Sequence, residues 1–464
     1  MAEPPTTLEI LVLAAGLGTR MKSSMAKVLH KLAGRPIIAH VCRTAIHLEP
    51  HRISVIVGHQ AEAVRAAVET ELGKHQASFV NQAEQRGTGD AVMATQSLLA
   101  KPNSTVLILS GDVPLVRAET LRALIETHLA DKASCTLLSV RLENPTGYGR
   151  VVRDEAGNFL KIVEQKDATD DERQIREINA GIYCFDSEKL FQALARVRPT
   201  NSQGEYYLTD VPGILQDDGE QVTIYQHQDA REVSGVNTRA ELAEFENLLR
   251  RGAVRRLMID GGVTFIDPSH AYISTEAQIG PDCIIYPDVH VEGSSVIGEG
   301  CEIHQGTRIT NSRLGNRVTI KDHCVIVDSE IADDCAVGPF AHLRMNARME
   351  ERAVVGNFVE VKKSQIGRGT KSMHLTYLGD ATIGEDTNIG AGTVTCNYDG
   401  KHKHPTVIGS RVRIGSDTML VAPVCVGDGA VTAAGSVVTE DVPPDTLVAG
   451  VPAKIKKKIS EETE

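Results

Sequence analysis

Aliphatic residues recur at every sixth position through two long stretches in the second half of this 464-residue chain. One stretch runs from Ile279 to Ile309, and the other runs from Ile408 to Val438 with a single exception at Thr432. A period of six fits neither a 3.6-residue helix nor the two-residue alternation of a strand. It is typical of a hexapeptide solenoid, in which each hexad forms one short strand and a corner. The pattern therefore predicts coils whose aliphatic side chains point inward and stack on one another.

The composition excludes several classes of protein. The nine cysteines contain no CxxC pair, and Cys283 and Cys301 occupy compact positions of the repeat, which favours small buried hydrophobes over disulfides or metal ligands. A net charge of −12 argues against nucleic acid as a partner. There is no signal-peptide pattern and no apolar run near the roughly 20 residues of a membrane span. We therefore expect a cytoplasmic protein that does not bind membranes.

The first half of the chain follows another pattern, in which short β-branched runs alternate with helical segments. This alternation is typical of an α/β fold with a largely parallel sheet, whose ligands gather at the carboxyl ends of the strands. The predicted strands are Leu8–Ala14, Ile53–Val57, Val106–Leu109 and Cys135–Val140. The predicted helices are Pro36–Leu48, Ala61–Leu72 and Ala118–Leu129.

One long helix, predicted over Thr238–Met258, separates the two patterns. Thr238 is a suitable N-cap, and Gly261-Gly262 ends the helix. The sequence therefore predicts an α/β domain, a helical linker and a solenoid domain, with bounds 1–236, 237–260 and 261–464. The tail Lys454–Glu464 is expected to be solvated and partly disordered.

A glycine-rich turn follows the first predicted strand. It reads Ala15-Gly16-Leu17-Gly18-Thr19-Arg20-Met21, and Lys27 follows six residues later. Small residues let backbone N–H groups approach phosphates, and the two cations can neutralise them. The turn lacks the Walker A and dinucleotide fingerprints, so a simple strand-to-helix turn is the alternative interpretation.

Two further segments support a nucleotide site. Gln82, beside Gly87-Thr88-Gly89, offers an amide that can contact more than one base edge. Asp112 follows the strand Val106–Leu109 and is well placed for a hard cation such as Mg²⁺, although such a residue alone is more often a cap. Together with the glycine turn, these residues predict a site for nucleotide phosphates and a metal.

The hexad pattern fails between Ile366 and Ile408, and we expect loops to leave the solenoid there. His374 lies in the first predicted loop, and Glu360 could orient its ring. Asn397 lies in the second predicted loop and could donate a hydrogen bond to an oxyanion. A lone histidine is more often structural, but the nearby cations Arg344, Lys362 and Lys363 suit a sugar phosphate. The His-rich stretch 401–404 is interpreted as a solvated loop rather than a metal site.

The motifs taken together resemble a known family. LAAGLGTRM, QAEQRGTG, GDVPL, GYGR, IVEQKDA, INAGIY and GVNTR resemble nucleotidyltransferases that join a nucleoside triphosphate to a sugar 1-phosphate. VGNFVEVKKS, HLTYLGD and IGAGTVTCNYDGK are similar to an acetyltransferase. The whole chain resembles the bacterial bifunctional N-acetylglucosamine-1-phosphate uridyltransferases/glucosamine-1-phosphate N-acetyltransferases. This resemblance implies a Rossmann-like nucleotidyltransferase domain followed by a left-handed parallel β-helix, assembled as a homotrimer.

For the first half, the resemblance implies uridylyl transfer from UTP to N-acetylglucosamine 1-phosphate with release of pyrophosphate. Arg20 and Lys27 would face the triphosphate, and Asp112 and Asn237 would hold Mg²⁺. The sugar would contact Gly149, Glu164, Asn179 and Asn237. The nucleotide would contact Leu13, Ala14, Ala15, Gly16, Lys27, Gln82, Gly87, Thr88, Ser110, Gly111 and Asp112.

For the second half, the resemblance implies acetyl transfer from acetyl-CoA to glucosamine 1-phosphate. His374 would be the general base, Glu360 would support it, and Asn397 would contribute to catalysis. Glucosamine 1-phosphate would contact Arg344, Lys362, Tyr377 and Asn388. Acetyl-CoA would contact Ala391, Asn397, Tyr398, Ser416, Ala434 and Lys454. The product, UDP-N-acetylglucosamine, would supply peptidoglycan and lipopolysaccharide synthesis.

Three positions depart from the family pattern. Asp90 stands where a histidine is expected, and Met345-Asn346 stands where Pro-Gly is expected. Ala449-Gly450 lacks the arginine expected before Val-Pro, so Lys454 is assigned to the CoA phosphates in its place.

Two alternative functions remain open at the level of sequence. One is a sugar-1-phosphate nucleotidyltransferase with a merely structural or regulatory solenoid, for which the segments holding His374 and Asn397 would serve no purpose. The other is a scaffold with a vestigial nucleotide fold, which the intact set Arg20, Lys27, Asp112 and Asn237 argues against.

Overall fold

A computed structural model describes residues 7–74 and 76–459. It divides between Phe245 and Glu246 into two compact units. The division falls inside the long helix, which runs from Arg239 to Ile259. Within the described ranges, no helix is long and apolar enough to cross a membrane.

The first unit contains eleven strands in its described part. They are β1 Thr7–Ala14, β2 Lys31–Leu32, β3 Arg35–Pro36, β4 Arg52–Val57, β5 Ala77–Asn81, β6 Ser104–Ser110, β7 Cys135–Arg141, β8 Arg150–Arg153, β9 Phe159–Val163, β10 Glu177–Asp186 and β11 Val222–His227. The α-helices are α1 Ile37–Ile46, α2 Ala61–Leu72, α3 Thr88–Met93, α4 Gln96–Leu99, α5 Ala118–Ala130, α6 Asp170–Arg173, α7 Ser187–Leu194, α8 Val211–Asp217 and α9 Arg239–Ile259. All four strands and three helices predicted for this half are present.

The main sheet has the order β11-β7-β10-β6-β1-β4-β5, with β8 and β9 added beside β10. Strands β6, β1, β4 and β5 are mutually parallel, whereas β10 runs antiparallel to both its neighbours in that order. Hydrophobic cores cover both faces of this sheet. Successive residues of β1 pack into them alternately, with Ile10 and Val12 on one face and Leu11 on the other. The predicted parallel sheet is therefore confirmed for the half that carries the glycine turn.

Helix α9 begins with a reciprocal cap. The Thr238 hydroxyl accepts from the Glu241 N–H at 3.2 Å, and the Glu241 carboxylate accepts from the Thr238 N–H at 2.8 Å. This capping box satisfies two N–H groups that the helix itself leaves unpaired, and it confirms Thr238 as the N-cap.

The second unit is a solenoid with three sheet faces. The first face contains Thr264–Phe265, Ile284–Ile285, Glu302–Ile303, Thr319–Ile320, Ala336–Val337, Val354–Asn357, Lys371–His374, Asn388–Ile389, Arg413–Ile414, Val431–Thr432, Thr446–Ala449 and Lys454–Lys458. The second face contains Ala271–Ile273, Val289–Glu292, Arg308–Thr310, Val325–Val327, His342–Arg344, Glu360–Lys362, Tyr377–Gly379, Val394–Cys396, Met419–Val421 and Val437–Val438. The third contains Gln278–Ile279, Val296–Ile297, Arg313–Leu314, Glu330–Ile331, Arg348–Met349, Gln365–Ile366, Ala381–Ile383, Thr406–Ile408 and Val424–Val426.

The hexad aliphatics fill the interior of the solenoid, as predicted. Ile285, Ile303 and Ile309 are fully buried, and so are the compact residues Cys283 and Cys301. All nine cysteines are free thiols. Parallel pairing of equivalent strands in successive coils, together with the repeat, confirms the predicted left-handed parallel β-helix.

One predicted loop is wrong. The segment around His374 does not leave the solenoid, because Lys371–His374 is a regular strand of the first face. Ser372 takes the inward position that an aliphatic holds elsewhere, and it is fully buried. The second predicted loop is confirmed, since residues 397–405 lie between strands Val394–Cys396 and Thr406–Ile408.

The start of the tail also differs from the prediction. Lys454–Lys458 forms a strand that pairs antiparallel with Thr446–Ala449, because that strand offers an unpaired edge at the end of the first face. The last five residues of the predicted disordered tail lie outside the described residues.

The corner between the first and second faces carries exposed apolar side chains. Phe340, Phe358 and Leu375 occupy equivalent corner positions, with φ of 56°, 57° and 48°. The two phenylalanine rings stack with centroids 5.2 Å apart, and all three side chains are exposed. Bulky residues rarely adopt positive φ. We call these three residues the apolar corner.

Candidate functional site

A pocket of about 470 Å³ lies at the carboxyl ends of β1 and β6 in the first unit. Ten of the eleven residues predicted to contact the nucleotide line it: Leu13, Ala14, Ala15, Gly16, Lys27, Gln82, Gly87, Thr88, Ser110 and Asp112. The eleventh, Gly111, donates its backbone N–H to the Leu13 carbonyl oxygen at 2.9 Å. The position agrees with the expectation that ligands of parallel sheets bind at this edge.

Four predicted site residues meet beside this pocket. The Lys27 ammonium forms an ion pair with Asp112 and donates to Asn237 Oδ1 at 3.1 Å. The Arg20 guanidinium donates to the same Asn237 oxygen at 2.8 Å. The side-chain oxygens of Asp112 and Asn237 therefore both contact the Lys27 ammonium. The Arg20 guanidinium adds a second positive charge beside Asn237.

Local backbone geometry places Lys27 there. Gly18 has φ +62°, and a Cβ at this position would lie 2.5 Å from the Cβ of Lys27. The loop before Lys27 is held by Gln60, which accepts from the Ala26 N–H at 2.8 Å and donates to the Ser24 carbonyl at 2.9 Å. Gln60 could not be predicted from the sequence, because it acts from the start of a distant helix and no motif marks it.

The predicted sugar contacts form a second group. Asn179 donates its backbone N–H to the Gly149 carbonyl at 2.9 Å, and a Cβ on Gly149 would lie 3.3 Å from Glu164 Oε1. Burial raises the pKa of Glu164. The Ser110 hydroxyl donates to the Gly181 carbonyl at 3.2 Å and so links the nucleotide pocket to the β10 segment that carries Asn179.

In the second unit, His374 ends a strand of the first face and is exposed. Its Nδ1 lies 2.7 Å from Asn357 Oδ1, in the equivalent position of the preceding coil. An amide oxygen only accepts, so Nδ1 carries the proton and Nε2 of the neutral ring keeps its lone pair. Glu360, expected to support His374, instead accepts from Arg344 Nε at 2.7 Å. Asn357 was not identified from the sequence.

The other predicted acetyl-site residues lie mainly on the second face. Lys362 Nζ is 3.1 Å from Asp380 Oδ2, and Asn397 Nδ2 donates to the same oxygen at 2.6 Å. Tyr377 is adjacent, because a Cβ on Gly379 would lie 2.3 Å from its hydroxyl. Asp380 was not predicted from the sequence. Neither was a role for Lys403, whose pKa is lowered by the neighbouring Lys362 ammonium.

The remaining predicted residues are spread along the solenoid. Asn388 lies on the first face beside Lys371, and Ala391, Ser416 and Ala434 lie at the corner that His374 approaches. Backbone hydrogen bonds join successive coils at that corner. The Asp417 N–H donates to the Ala391 carbonyl oxygen at 2.6 Å, and the Gly435 N–H donates to the Ser416 carbonyl oxygen at 2.8 Å. Tyr398 is exposed in the 397–405 loop, and Lys454 pairs with Glu440 at 3.1 Å.

The turn after Arg344 takes a conformation that the expected Pro-Gly could not share. Met345 and Asn346 have φ of 56° and 62°, whereas proline is fixed near −65°. The Arg344 guanidinium also contacts Met345 Sδ at 3.2 Å. This departure therefore alters the surroundings of Arg344 directly.

Comparisons with known proteins cover both halves. The family model of the MobA-like NTP transferase domain matches residues 10–178, and that of the GMPPB C-terminal domain matches residues 267–363. The bifunctional protein GlmU of Heliobacterium modesticaldum is 51% identical over 437 residues, which is 94% of both chains. That of Syntrophomonas wolfei is 47% identical over 95% of this chain and 96% of its own. At this identity over nearly its whole length, the chain belongs to the family of the bifunctional protein GlmU, enzymes with uridyltransferase and acetyltransferase activities.

Proposed function

We propose that the first unit transfers a uridylyl group from UTP to N-acetylglucosamine 1-phosphate. The observation that carries this proposal is the convergence of Arg20 and Lys27 on Asn237, beside a pocket lined by the expected nucleotide residues. Two adjacent cations suit a triphosphate. A phosphate oxygen of the sugar phosphate attacks the α-phosphorus and pyrophosphate leaves, a reaction that depends mainly on positioning and charge neutralisation.

Asp112 and Asn237 are proposed to hold Mg²⁺ in this reaction. Their side-chain oxygens already share one cation, the Lys27 ammonium. Oxygen donors suit Mg²⁺, which often takes one or two protein ligands and completes its shell with phosphate oxygens and water. Within the described ranges, no group of three or more His, Cys, Asp or Glu residues could hold a metal, so the substrate is expected to supply the other donors. When bound, the ion neutralises phosphate charge.

The acceptor sugar is proposed to lie against Gly149, Glu164 and Asn179. Glycine at 149 leaves room beside the Glu164 carboxylate, which can accept a hydrogen bond from a sugar hydroxyl. The Ser110 hydrogen bond to Gly181 connects this group to the nucleotide pocket.

The second unit is proposed to acetylate glucosamine 1-phosphate. His374 Nε2 takes a proton from the amino group while its nitrogen attacks the thioester carbonyl carbon of acetyl-CoA, and the carbon–sulfur bond then breaks to release CoA thiolate. Asn357 holds the His374 ring in the required tautomer. Arg344 and Lys362 bind the phosphate, together with Tyr377 and Asn388. Asn397 and Tyr398 line the acetyl pocket, and the corner residues Ala391, Ser416 and Ala434, with Lys454, contact CoA.

Acetylation would come first, since the acetylated sugar phosphate is the acceptor of the uridylyl group. The product would be UDP-N-acetylglucosamine, a precursor of peptidoglycan and lipopolysaccharide. A cytoplasmic location is proposed because UTP and acetyl-CoA are available there and the nine thiols are free.

The chain is proposed to assemble as a homotrimer through its solenoid. The apolar corner supports this, because three bulky side chains are held exposed at positive φ on successive coils. Burial of such a column against other copies of the chain would offset the cost of its backbone conformation. The proposed CoA contacts lie on the same corner, so a neighbouring copy would complete the acetyl site.

One incubation tests both activities together. The enzyme is mixed with glucosamine 1-phosphate, acetyl-CoA, UTP and Mg²⁺, and free thiol and pyrophosphate are measured. Both products are expected; thiol without pyrophosphate would contradict the uridylyl half of the proposal, and absence of thiol would contradict the acetyl half. Asp112→Ala should lower pyrophosphate release by at least about 100-fold and leave thiol release unchanged. Retained Mg²⁺-dependent uridylyl transfer in that variant would refute the role of Asp112.

A further inference from the structure

Asp90, which stands where the resemblance led us to expect a histidine, contacts the amide of Gln82. Gln82 lies in the wall of the nucleotide pocket and is only 7% exposed. Its Nε2 donates to the Gly87 carbonyl oxygen at 3.1 Å and to Asp90 Oδ2 at 3.0 Å. An amide nitrogen has two N–H bonds, so both are used within the protein. Oε1 is then the atom of this amide that remains for a ligand.

The carboxylate of Asp90 is itself held in place. Its second oxygen, Oδ1, accepts from Arg86 at 2.8 Å, and the Arg86 guanidinium lies 5.9 Å from the centroid of the Tyr206 ring. If the Gln82 amide rotated by half a turn, Oε1 would face the Gly87 carbonyl and a carboxylate oxygen. Neither of these groups carries a proton to donate, so the rotated state loses two hydrogen bonds and gains two repulsive contacts.

A histidine in the same place would not impose this orientation. An imidazole nitrogen can accept or donate according to its tautomer, so it can pair with either end of an amide. A carboxylate only accepts. The departure at residue 90 therefore removes an ambiguity that the sequence left open, namely which edge of a base Gln82 can contact.

We infer that Asp90 is a positioning residue that sets base specificity by fixing Gln82 with Oε1 towards the base. An acceptor at this point favours a pyrimidine with an N–H at ring position 3. Uracil carries a proton on N3, whereas N3 of cytosine is an unprotonated acceptor that would repel Oε1. Asp90 acts through Gln82 and does not touch the substrate. The inference rests on the proposed uridylyl transfer in this pocket.

The test compares UTP with CTP as substrates for pyrophosphate release by the full-length enzyme with N-acetylglucosamine 1-phosphate and Mg²⁺. In Asp90→Ala the amide can rotate, so the UTP:CTP ratio of kcat/KM should fall by about tenfold, the equivalent of one neutral hydrogen bond. Asp90→Asn should also lower the ratio, because its amide can pair with either end of Gln82 and no longer fixes the orientation. Glu84→Ala is the matched control: Glu84 also lies near Arg86, at 3.7 Å, and forms no hydrogen bond with Gln82 among the described residues.

A double-mutant cycle separates positioning from a general structural effect. In a Gln82→Ala background, Asp90→Ala should leave the UTP:CTP ratio unchanged, because there is no amide to orient. Acetyl transfer by the same variants reports whether the rest of the enzyme is intact. An unchanged ratio in the Asp90 variants that fold, or an equal fall in the Gln82→Ala background, overturns the inference. Absence of uridylyl transfer by the wild-type enzyme would instead refute the proposed function.

Discussion

A single hydrogen bond sets the tautomer of His374, the proposed general base. Because Asn357 accepts from Nδ1, the basic nitrogen is Nε2. We expect His374→Ala to lower acetyl transfer by about 100- to 10,000-fold, the range for loss of a general base. The measurement is thiol release from acetyl-CoA. Uridylyl transfer by the same preparation is the control and should stay near wild type; loss of both activities would refute the two-site assignment.

We expect Glu164, a proposed contact of the sugar, to make the uridylyl reaction sensitive to mild acid. Burial raises the pKa of its carboxyl above that of an exposed glutamate, so on acidification it is protonated earlier and accepts hydrogen bonds less well. KM for N-acetylglucosamine 1-phosphate should therefore rise as pH falls through that raised pKa. Glu164→Gln should raise KM about 10- to 100-fold at neutral pH, since hydrogen bonds to charged groups are the stronger ones.

The Gln variant is also the control for this pH dependence, because the sugar phosphate titrates too. Any rise in KM at low pH that remains in Glu164→Gln is due to titration of the substrate. The difference between the KM–pH profiles of the wild type and the variant is due to Glu164. Identical profiles in both enzymes would contradict the assignment.

At the scale of elements, helix α5 carries a buried histidine that opposes folding in acid. His128 contacts Thr136 of β7 at 3.1 Å, and burial lowers its pKa to about 4. The unfolded chain takes up this proton near pH 6.5 and the folded one only near pH 4, so stability is lost as pH falls through that window. The loss should reach on the order of 3 kcal/mol.

Thermal unfolding of the full-length enzyme between pH 7 and pH 4 measures this effect. His128→Gln should flatten the acid decline in the unfolding midpoint of the first unit. The exposed His47 supplies a control, since His47→Gln should keep the wild-type decline. Equal declines in all three proteins would show that His128 does not carry the effect.

Elements with a continuous apolar pattern could be predicted from the sequence, whereas those that rely on distant partners could not. Strand Lys371–His374 was missed because Ser372 holds an inward position, and hydrophobic periodicity does not register a polar residue there. Another inward polar residue, Thr395, does form hydrogen bonds: its hydroxyl accepts from the Gly379 N–H at 2.8 Å and donates to the Gly379 carbonyl at 3.0 Å. The antiparallel β10 was missed because pairing with distant strands, not local pattern, decides its direction.

The residues that the sequence did not predict in the proposed acetyl site, Asn357 and Asp380, were missed for the same geometric reason. Asn357 lies 17 residues before His374, and Asp380 lies 18 after Lys362 and 17 before Asn397. These separations equal one coil of the solenoid, so residues far apart in sequence become neighbours on adjacent strands. The hexad period contained this signal, since three hexads make one coil: one coil forward from Lys362 is Asp380, and one coil back from His374 falls within one residue of Asn357.

At the scale of the whole molecule, we expect the two activities to make different demands on assembly. The expected nucleotide and sugar residues occur together in the first unit of one chain, whereas the expected acetyl-site residues extend from the second face of the solenoid to a corner with an exposed apolar column. The proposed acetyl site therefore has an open side at this corner, which another copy of the chain could close. Assembly is therefore expected to matter for acetyl transfer and to be dispensable for uridylyl transfer.

The combined substitution of Phe340→Glu and Phe358→Glu tests this expectation. Each phenylalanine buried at an interface contributes about 1.5–3 kcal/mol, and two carboxylates in each copy would oppose its burial. The mass of the native protein in solution should fall from that of three chains to that of one. Acetyl transfer should be lost, and uridylyl transfer should persist. Val407→Glu is the control, because Val407 is an exposed aliphatic residue on the third face, and it should stay trimeric and active. A trimer that survives the double substitution would place the interface elsewhere, and full acetyl transfer by a monomer would show that one chain completes the site alone.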